Sequence, residues 1–548
     1  MSRHDTRDAL NAASQLNLLE RVIAQISPEA AARRMRARMF MAAAGSYTGG
    51  SRSRRQTSEW KYPKGNSADA DVIFDMPALR DRSRDLVRNE PLAAGAIAGT
   101  VTSVVGTGLA LHPKVDADVL GLSDEEASAL NKLISQEFCL WADGTACDAT
   151  RTQDFYALQG LVFRSALESG DVFALTPMRE ISGMPYRTCL QILEADQCSN
   201  EQHALDTIQC AGGVQMDALR APVAYWFQEQ HPGSINRVVS KWHSVEAFGA
   251  KTGRRQVIHL YDKLRPGQTR GVPWLTPVIE TLKMLGKYTE AELMAAVVAG
   301  MFTVFVESDR GGLDPAGSGG LAGETGAAST DKDIKLGSGA IVDLVPGEKV
   351  SFANPGRPNQ AFTGFVDALA GFIGLALELP KEVLLKQFLA SYSASRAALL
   401  EAWKFYRKRR VWLAAMFCQP AYEVWFDEAV ALGRIAAPGY FDDALMRRAY
   451  LNADWIGDGP ISIDPVKDIE AATGRIELGI STRQKEAAAY DGGDWEQNNV
   501  QLGKEEAARK KAGLVPTAAL KGPGARPGTQ NPEDVNQGGS DLQKPENT

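Results

Sequence analysis

Apolar and polar positions change their period several times along the chain, and each change marks an element. From Ser123 to Ala142 apolar residues recur at helical spacing behind Asp124-Glu125-Glu126, acidic residues placed where they answer a helix dipole. Val172 to Leu175 and Val257 to Leu260 are short strand-like runs, so Asp71 to about Asp262 is expected to be a mixed region of helices and strands. Pro273 to Val297 then reads as one long helix opened by proline, with Val278, Leu282, Leu285, Tyr288, Ala291 and Ala295 at three- and four-residue steps. At 1.5 Å per residue such a helix reaches about 35 Å.

An apolar run, Met301 to Val306, suits a strand and leads into the Gly/Ala-rich stretch Ser308 to Ala328, which reads as a loop. Ala340 to Leu344 and Lys349 to Phe352 follow as strands joined at the turn Pro346-Gly347. A second helix is expected from Gln360 to about Glu378, ended by Pro380 and striped by Phe362, Phe365, Val366, Leu369, Phe372, Ile373, Ala376 and Leu377. The two helices therefore bracket a small insert. A third helix is expected from Ser395, its N-cap, to Phe417. Leu399, Trp403, Tyr406, Leu413 and Phe417 form its packing face, and Lys404, Arg407, Lys408, Arg409 and Arg410 take the rest. Interleaved cations and aromatic rings also suit nucleic acid, but the packing stripe explains the spacing more simply.

Composition narrows the functional classes. The 548 residues are 44% hydrophobic and 23% charged, enough for several globular cores. A formal charge of -7 argues against a broad basic surface that grips nucleic acid, while a conduit that does not hold its cargo stays compatible. The cysteines Cys139, Cys147, Cys189, Cys198, Cys210 and Cys418 show neither Cys-x-x-Cys nor zinc-ligand spacing, so reduced thiols and no metal site are expected. Met1 to Asn11 has no apolar core of a secretory leader. Leu92 to Leu111 is long enough to span a bilayer, yet its four glycines and its Ser/Thr content favour a buried helix running into a strand, with no membrane contact. The arginine-rich first sixty residues read as a solvated arm, and Gly522 to Thr548 as a disordered tail.

Catalytic motifs fail on inspection. Gly106-Thr107-Gly108 has neither the third glycine nor the lysine of a phosphate loop, and no Gly-x-Ser-x-Gly elbow occurs. His259 with Asp262 imitates a base and its orienter, but His259 lies between Ile258 and Leu260 in a strand and reads as a structural histidine. No catalytic residue and no cofactor is expected, and an enzyme is the least favoured reading.

Five segments carry a likeness to a known family. They are Leu79 to Asn89 (LRDRSRDLVRN), Val104 to Gly108 (VVGTG), Leu190 to Gln197 (LQILEADQ), Ile258-His259-Leu260 with Arg265 to Leu275 (RPGQTRGVPWL), and Ser391 to Ala397 (SYSASRA). In this order, across roughly Trp60 to Gly493, the chain resembles the lambda-type portal family of tailed bacteriophages. It departs from the family where Ser169-Gly170-Asp171 stands in place of the usual Gly-Glu.

The resemblance implies an α+β portal fold: arm 1–60, mixed wing 61–272, stem helix 273–297, small αβ clip 298–358, second stem helix 359–380, tunnel loop 381–395, channel/wing helix 396–425, helical crown 426–495 and disordered tail 496–548. It also implies a homo-oligomeric ring of twelve chains at one capsid vertex, assembled in the host bacterial cytoplasm. Double-stranded DNA would pass through it during packaging and ejection. Terminase, then a head-tail adaptor, would dock at the clip, and the major capsid protein and scaffold would surround the ring. An adaptor is the structural alternative; adaptors are usually much shorter and lack the helix-insert-helix order.

On this reading Lys386 and Gln387 touch phosphates briefly, Phe388, Leu389 and Tyr392 pack against the neighbouring loop, and Ser393 completes the channel loop. Lys404, Arg407 and Lys408 are candidate channel-proximal cations, and Phe362, Phe365, Leu369 and Phe372 are candidate ring-packing residues. The competing reading of the loop is a helix running on from Lys381, because Glu382 to Ala390 is helix-compatible.

Overall fold

Capping side chains decide where several of the helices begin. In the computed structural model the residues described are 65–235, 241–300, 304–308, 348–352, 361–389, 391–460 and 465–514. The elements below belong to one compact unit that starts at Ala68. The expected arm, the Gly/Ala-rich loop, the strand Ala340 to Leu344 and the tail beyond Gly522 lie outside the described residues.

Helices α1 (Ala68–Val72), α2 (Met76–Asn89) and α3 (Pro91–Val104) come first, followed by β1 (Ala110–Pro113) and the one-turn α4 (Ala117–Leu120). Leu92 to Leu111 is thus a helix followed by a strand, and no helix among the described residues is long and apolar enough to cross a membrane. Helix α5 (Asp124–Ala142) opens with a reciprocal box in which the Ser123 hydroxyl accepts from the Glu126 amide and Glu126 accepts from Ser123. The cap of α6 (Phe155–Ser169) is Asp154, which accepts from the Ala157 amide at 2.7 Å.

Seven strands follow: β2 (Asp171–Leu175), β3 (Gln191–Glu194), β4 (Cys210–Ala211), β5 (Val214–Met216), β6 (Pro222–Gln228), β7 (Trp242–Glu246) and β8 (Val257–Tyr261). They form two antiparallel sheets, ordered β3-β2-β8 and β4-β5-β6-β7. Strand β2 separates two cores. Val172 and Ala174 face the larger one, and Phe173 faces a smaller one shared with Val214, Tyr225 and Phe227. A strand covered on both faces reads as a continuous apolar run.

Helix α7 (Ile279–Gly300) starts a few residues later than the sequence indicated, after a tight turn holding Pro277. Strand β9 (Val304–Ser308) pairs antiparallel with β10 (Glu348–Phe352) in the register Val304 to Phe352. The partner seen for the 348–352 strand is therefore the one that follows α7. Closing a long loop costs little more than closing a short one, so distant strands can pair across an insert. Helix α8 (Phe362–Ala376) precedes the one-turn α9 (Lys381–Leu384).

Helix α10 (Tyr392–Leu413) begins one turn earlier than expected. The Ser391 hydroxyl, not that of Ser395, accepts from the Ala394 amide, and the Ser395 amide already bonds back to the Ser391 carbonyl. A π-turn at Ala414–Cys418 joins α10 to α11 (Gln419–Ala431) without a break. Pro420 lacks an amide and its ring would strike the Met416 carbonyl in a tight turn; a widened turn just before it relieves both problems. The expected division at residue 425 thus falls inside one helix. Helix α12 (Ala444–Leu451), β11 (Ala453–Ile456), α13 (Pro465–Glu477), α14 (Arg483–Tyr490) and α15 (Trp495–Lys511) complete the order.

The larger core joins distant parts of the chain. Phe138 of α5 meets Trp425 at 5.1 Å, Phe155 at 5.6 Å and Tyr422 at 5.8 Å between ring centroids. Each such buried ring contributes about 1.5–3 kcal/mol through its removal from water. Strand β1 pairs antiparallel with β11, Ala110 opposite Ile456, and sets the late strand beside the early one.

Candidate functional site

The paired helices α7 and α8 meet through aromatic side chains, with Tyr288 stacked on Phe362 at 5.7 Å and edge-on to Phe365 at 5.0 Å. The stripe read from the sequence divides here. Ala370, Ile373 and Leu377 are buried and Leu369 packs on the core, whereas Phe365, Phe372 (66% exposed) and Leu375 (79% exposed) face solvent. Met284, Leu293 and Met294 of α7 are exposed as well. Isolated exposed apolar residues are ordinary, but several on one helix pair mark a surface that binds something.

The segment between α8 and α10 does not continue as a helix from Lys381. Helix α9 ends at Leu384, Lys386 takes a left-handed backbone with φ 54°, and the Gln387 amide bonds back to the Glu382 carbonyl at 2.9 Å. Lys386, Gln387, Phe388 and Leu389 are all exposed, Leu389 most of all at 90%. Tyr392 and Ser393 lie exposed in the first turn of α10, where the Tyr392 hydroxyl accepts from Arg396.

The basic run of α10 separates into three environments. Lys404 pairs with Glu401 at 2.6 Å and Lys408 with Glu378 at 3.5 Å on the flank facing α8. Arg407 has no ion pair among the described residues and borders a groove of about 1170 Å³ with Trp403, Arg448 and Lys485. Arg409 and Arg410 depart from the expectation that the cations cover the outer face. Arg409 is buried and paired with Asp262 at 2.7 Å. Arg410 donates to the carbonyls of Ser103 and Val104, the end of α3, and to that of Asp458. Both bind parts of the fold that no local pattern links to them.

A second clamp sits beside it. The Gly106-Thr107-Gly108 turn receives the Asp458 carboxylate, with the Thr107 amide at 3.1 Å and its hydroxyl at 2.9 Å. Gly106 has φ 58°, a backbone that favours glycine, and a Cβ there would push the Asp458 carboxylate off the turn. The turn's donors hold an anion of the protein itself.

The densest polar site lies between the two sheets and was not anticipated as a unit. Asp171 is fully buried at the start of β2; Arg80 of α2 reaches it at 2.8 Å, Arg270 at 2.5 Å and His259 at 3.3 Å. Arg80 also donates to the Ser169 carbonyl, and Arg270 to the carbonyls of Ala195, Cys198 and Gly212. Burial pushes the Asp171 carboxyl up, but Arg270 and Arg80 overcome it and hold the group well below the usual carboxylate range. Burial lowers the pKa of His259 against the pull of Asp171, and its ring is sandwiched between Phe173 at 4.2 Å and Tyr261 at 4.3 Å. His259 therefore pairs with Asp171, not Asp262. Asp171, one of the residues at which the chain was expected to depart from the family pattern, is the centre of this knot of charged and hydrogen-bonded side chains. Gly170, with φ 92°, and Gly271 pass back to back, and a Cβ on Gly271 would lie 2.0 Å from the Gly170 carbonyl oxygen.

Arg80, His259 and Arg270 of this region come from two of the five segments that carried the family likeness, and the comparison with families agrees with it. The model of the phage portal protein, lambda family, matches residues 53–410. The chain belongs to that family. As a portal protein it is similar to portal protein B of Escherichia phage lambda, 28% identical over 499 residues that cover 87% of this chain and 92% of the relative. The portal protein of Escherichia phage N15 is 27% identical over 501 residues, covering 87% and 92%. A probable portal protein of Halomonas phage phiHAP-1 is 26% identical, covering 78% and 80%. Among solved structures, a chain from the neck of the native gene transfer agent particle with C12 symmetry superposes with a TM-score of 0.38 at 13% identity, covering 81% of this chain and 94% of that one. The protein is a portal subunit of mixed helix and sheet.

Proposed function

We propose that this portal subunit closes into a ring of twelve at one capsid vertex and forms the channel through which double-stranded DNA is packaged and ejected. The observation that carries the reading is the exposed apolar face of α7 and α8, around Phe365, Phe372 and Leu375, in a chain of the portal family. A cyclic ring needs each copy to offer two different complementary surfaces, and an unpartnered helix pair supplies part of one. The insert between α7 and α8 is the clip, which docks terminase and afterwards the head-tail adaptor. Major capsid protein and scaffold surround the assembled ring in the bacterial cytoplasm.

The exposed turn with Lys386 and Gln387 faces the bore and touches phosphates in passing. One cation per chain is enough, because a ring repeats it, and a denser collar would add counterion-release affinity and slow the DNA. Native mass spectrometry of the purified chain is expected to show closed rings; monomer alone under all folding conditions would sink the reading. Replacing Lys386 and Gln387 with Ala is expected to leave rings and capsid attachment intact while changing DNA packaging or retention. Normal packaging and retention would remove these residues from the channel. Deleting Gly312 to Ser329 is expected to leave rings intact, and loss of assembly on that deletion would overturn the assignment of this stretch as a dispensable loop.

A further inference from the structure

A groove of about 530 Å³ opens where α8, α9 and α10 converge, floored by Gly371, Gly374, Leu379 and Phe405, with Leu375 at its outer lip. Its rim carries charge, but that charge is already satisfied within the chain. Lys381 pairs with Asp367, Lys404 with Glu401 and Lys408 with Glu378. A groove whose cations are paired and whose floor is apolar does not select a phosphate; it selects apolar side chains.

The same chain presents a matching object that it cannot use itself. Phe388 and Leu389 are 45% and 90% exposed at the tip of the turn after α9, and neither lines the groove of its own copy. The tip is held out by the backbone. The left-handed Lys386 and the bond from the Gln387 amide to the Glu382 carbonyl reverse the chain just before it. The lip residue Leu375 is also the last exposed large apolar residue of α8, one turn beyond Phe372. A second copy seated on that face is thereby led to the groove.

We propose that Phe388 and Leu389 of one subunit insert into the α8–α10 groove of the adjacent subunit around the ring. The inference rests on the ring reading above and adds the occupant of a specific socket. Tip and socket are different surfaces of the same chain, which is the arrangement that closes a cyclic assembly. Each tip is then fixed by its neighbour's helices rather than by the other tips, so a shift of α8 or α10 in one subunit moves the loop of the next.

The test uses the full chain in assembled rings. Leu375→Cys and Leu389→Cys are combined, the rings are oxidised, and the products are run on a non-reducing denaturing gel. A disulfide forms only when the two Cα atoms come within about 7 Å. The expected result is a ladder of covalently joined copies for the double variant and background for each single variant. Intact rings with no ladder, or an equal ladder from Leu389→Cys alone, would overturn the proposal, the latter by showing tips that meet each other. Leu375→Ala and Leu389→Ala, singly and together, read the same contact through the urea midpoint of ring dissociation. Non-additive losses are expected from a shared contact, and additive losses count against it. Failure of the unaltered chain to form any ring would instead remove the reading on which the inference stands.

Discussion

Helices α11 and α8 are both rich in large apolar side chains, and they end in opposite environments. Helix α11 buries Tyr422, Trp425 and Phe426 completely, with Tyr422 and Trp425 against Phe138 of α5 in the same chain. Helix α8 carries Phe362, Phe365 and Phe372 and leaves Phe372 mostly in solvent. Helices α13, α14 and α15 go further and bury no residue among those described. The difference teaches that an apolar stripe announces that a face will be covered and is silent about which chain covers it.

On the proposed ring reading, changes around Asp171 and α11 are expected to act on the single chain and changes on α8 on assembly. The largest effect on folding is expected from Asp171→Asn. It strands Arg80 and Arg270 without their buried partner and should cost roughly 3–5 kcal/mol. The urea midpoint of dissociated subunits reads this, and an unchanged midpoint would contradict the knot's role. Next comes Gly271→Ala, whose methyl has no room against Gly170; overpacking of this kind costs about 1–3 kcal/mol and is read in the same assay.

Acid sharpens the contrast. A folded-state pKa below the unfolded value means that the unfolded chain binds a proton first. For His259 stability is therefore expected to fall as pH drops below about 6.5, until the lowered folded value is reached. Asp171 adds stability at pH above its unfolded value of about 3.9 and loses it only in stronger acid. Unfolding midpoints between pH 7 and 5 should slope for the native protein and slope less for His259→Gln, with His112, whose pKa burial also lowers, supplying part of what remains; a slope unchanged by that substitution would exclude His259 as a source. The smallest effect on folding is expected from Phe372→Asp, within about 0.5 kcal/mol for the isolated chain as for other surface changes, while rings disappear in native mass spectrometry. Rings that persist would detach this face from assembly.

Local signals made the helices legible. The acidic run Asp124-Glu125-Glu126, the proline at Pro380 and the apolar steps of α7 and α8 each act within a few residues, and the structure places helices there. Ser391 and Ser395 compete for one cap within a single turn, which is why the start of α10 came out a turn late. The knot was hidden for a different reason. Arg80, Asp171, His259 and Arg270 each follow an ordinary local pattern, and only the packing of α2 against the sheet brings them together. Arg409 and Arg410 show the same limit, since a run of cations reads as a solvated face until Asp262 and the end of α3 arrive beside it. The exposed turn at Lys386 depends on a left-handed residue that is not glycine, which leaves no mark in composition.

The clamp of Asp458 on Thr107 has a temporal meaning. These residues are 351 positions apart, so at 5–20 residues per second a ribosome needs on the order of 20–70 s to supply the second after the first. Helices α7 and α8 emerge within that interval. Each nascent chain therefore exposes the apolar face of this helix pair before α11 and β11 exist to complete the larger core. If the ring closes through those helices as proposed, copies made side by side on one messenger have time to meet while still incomplete, which sets the order of synthesis against the order of assembly.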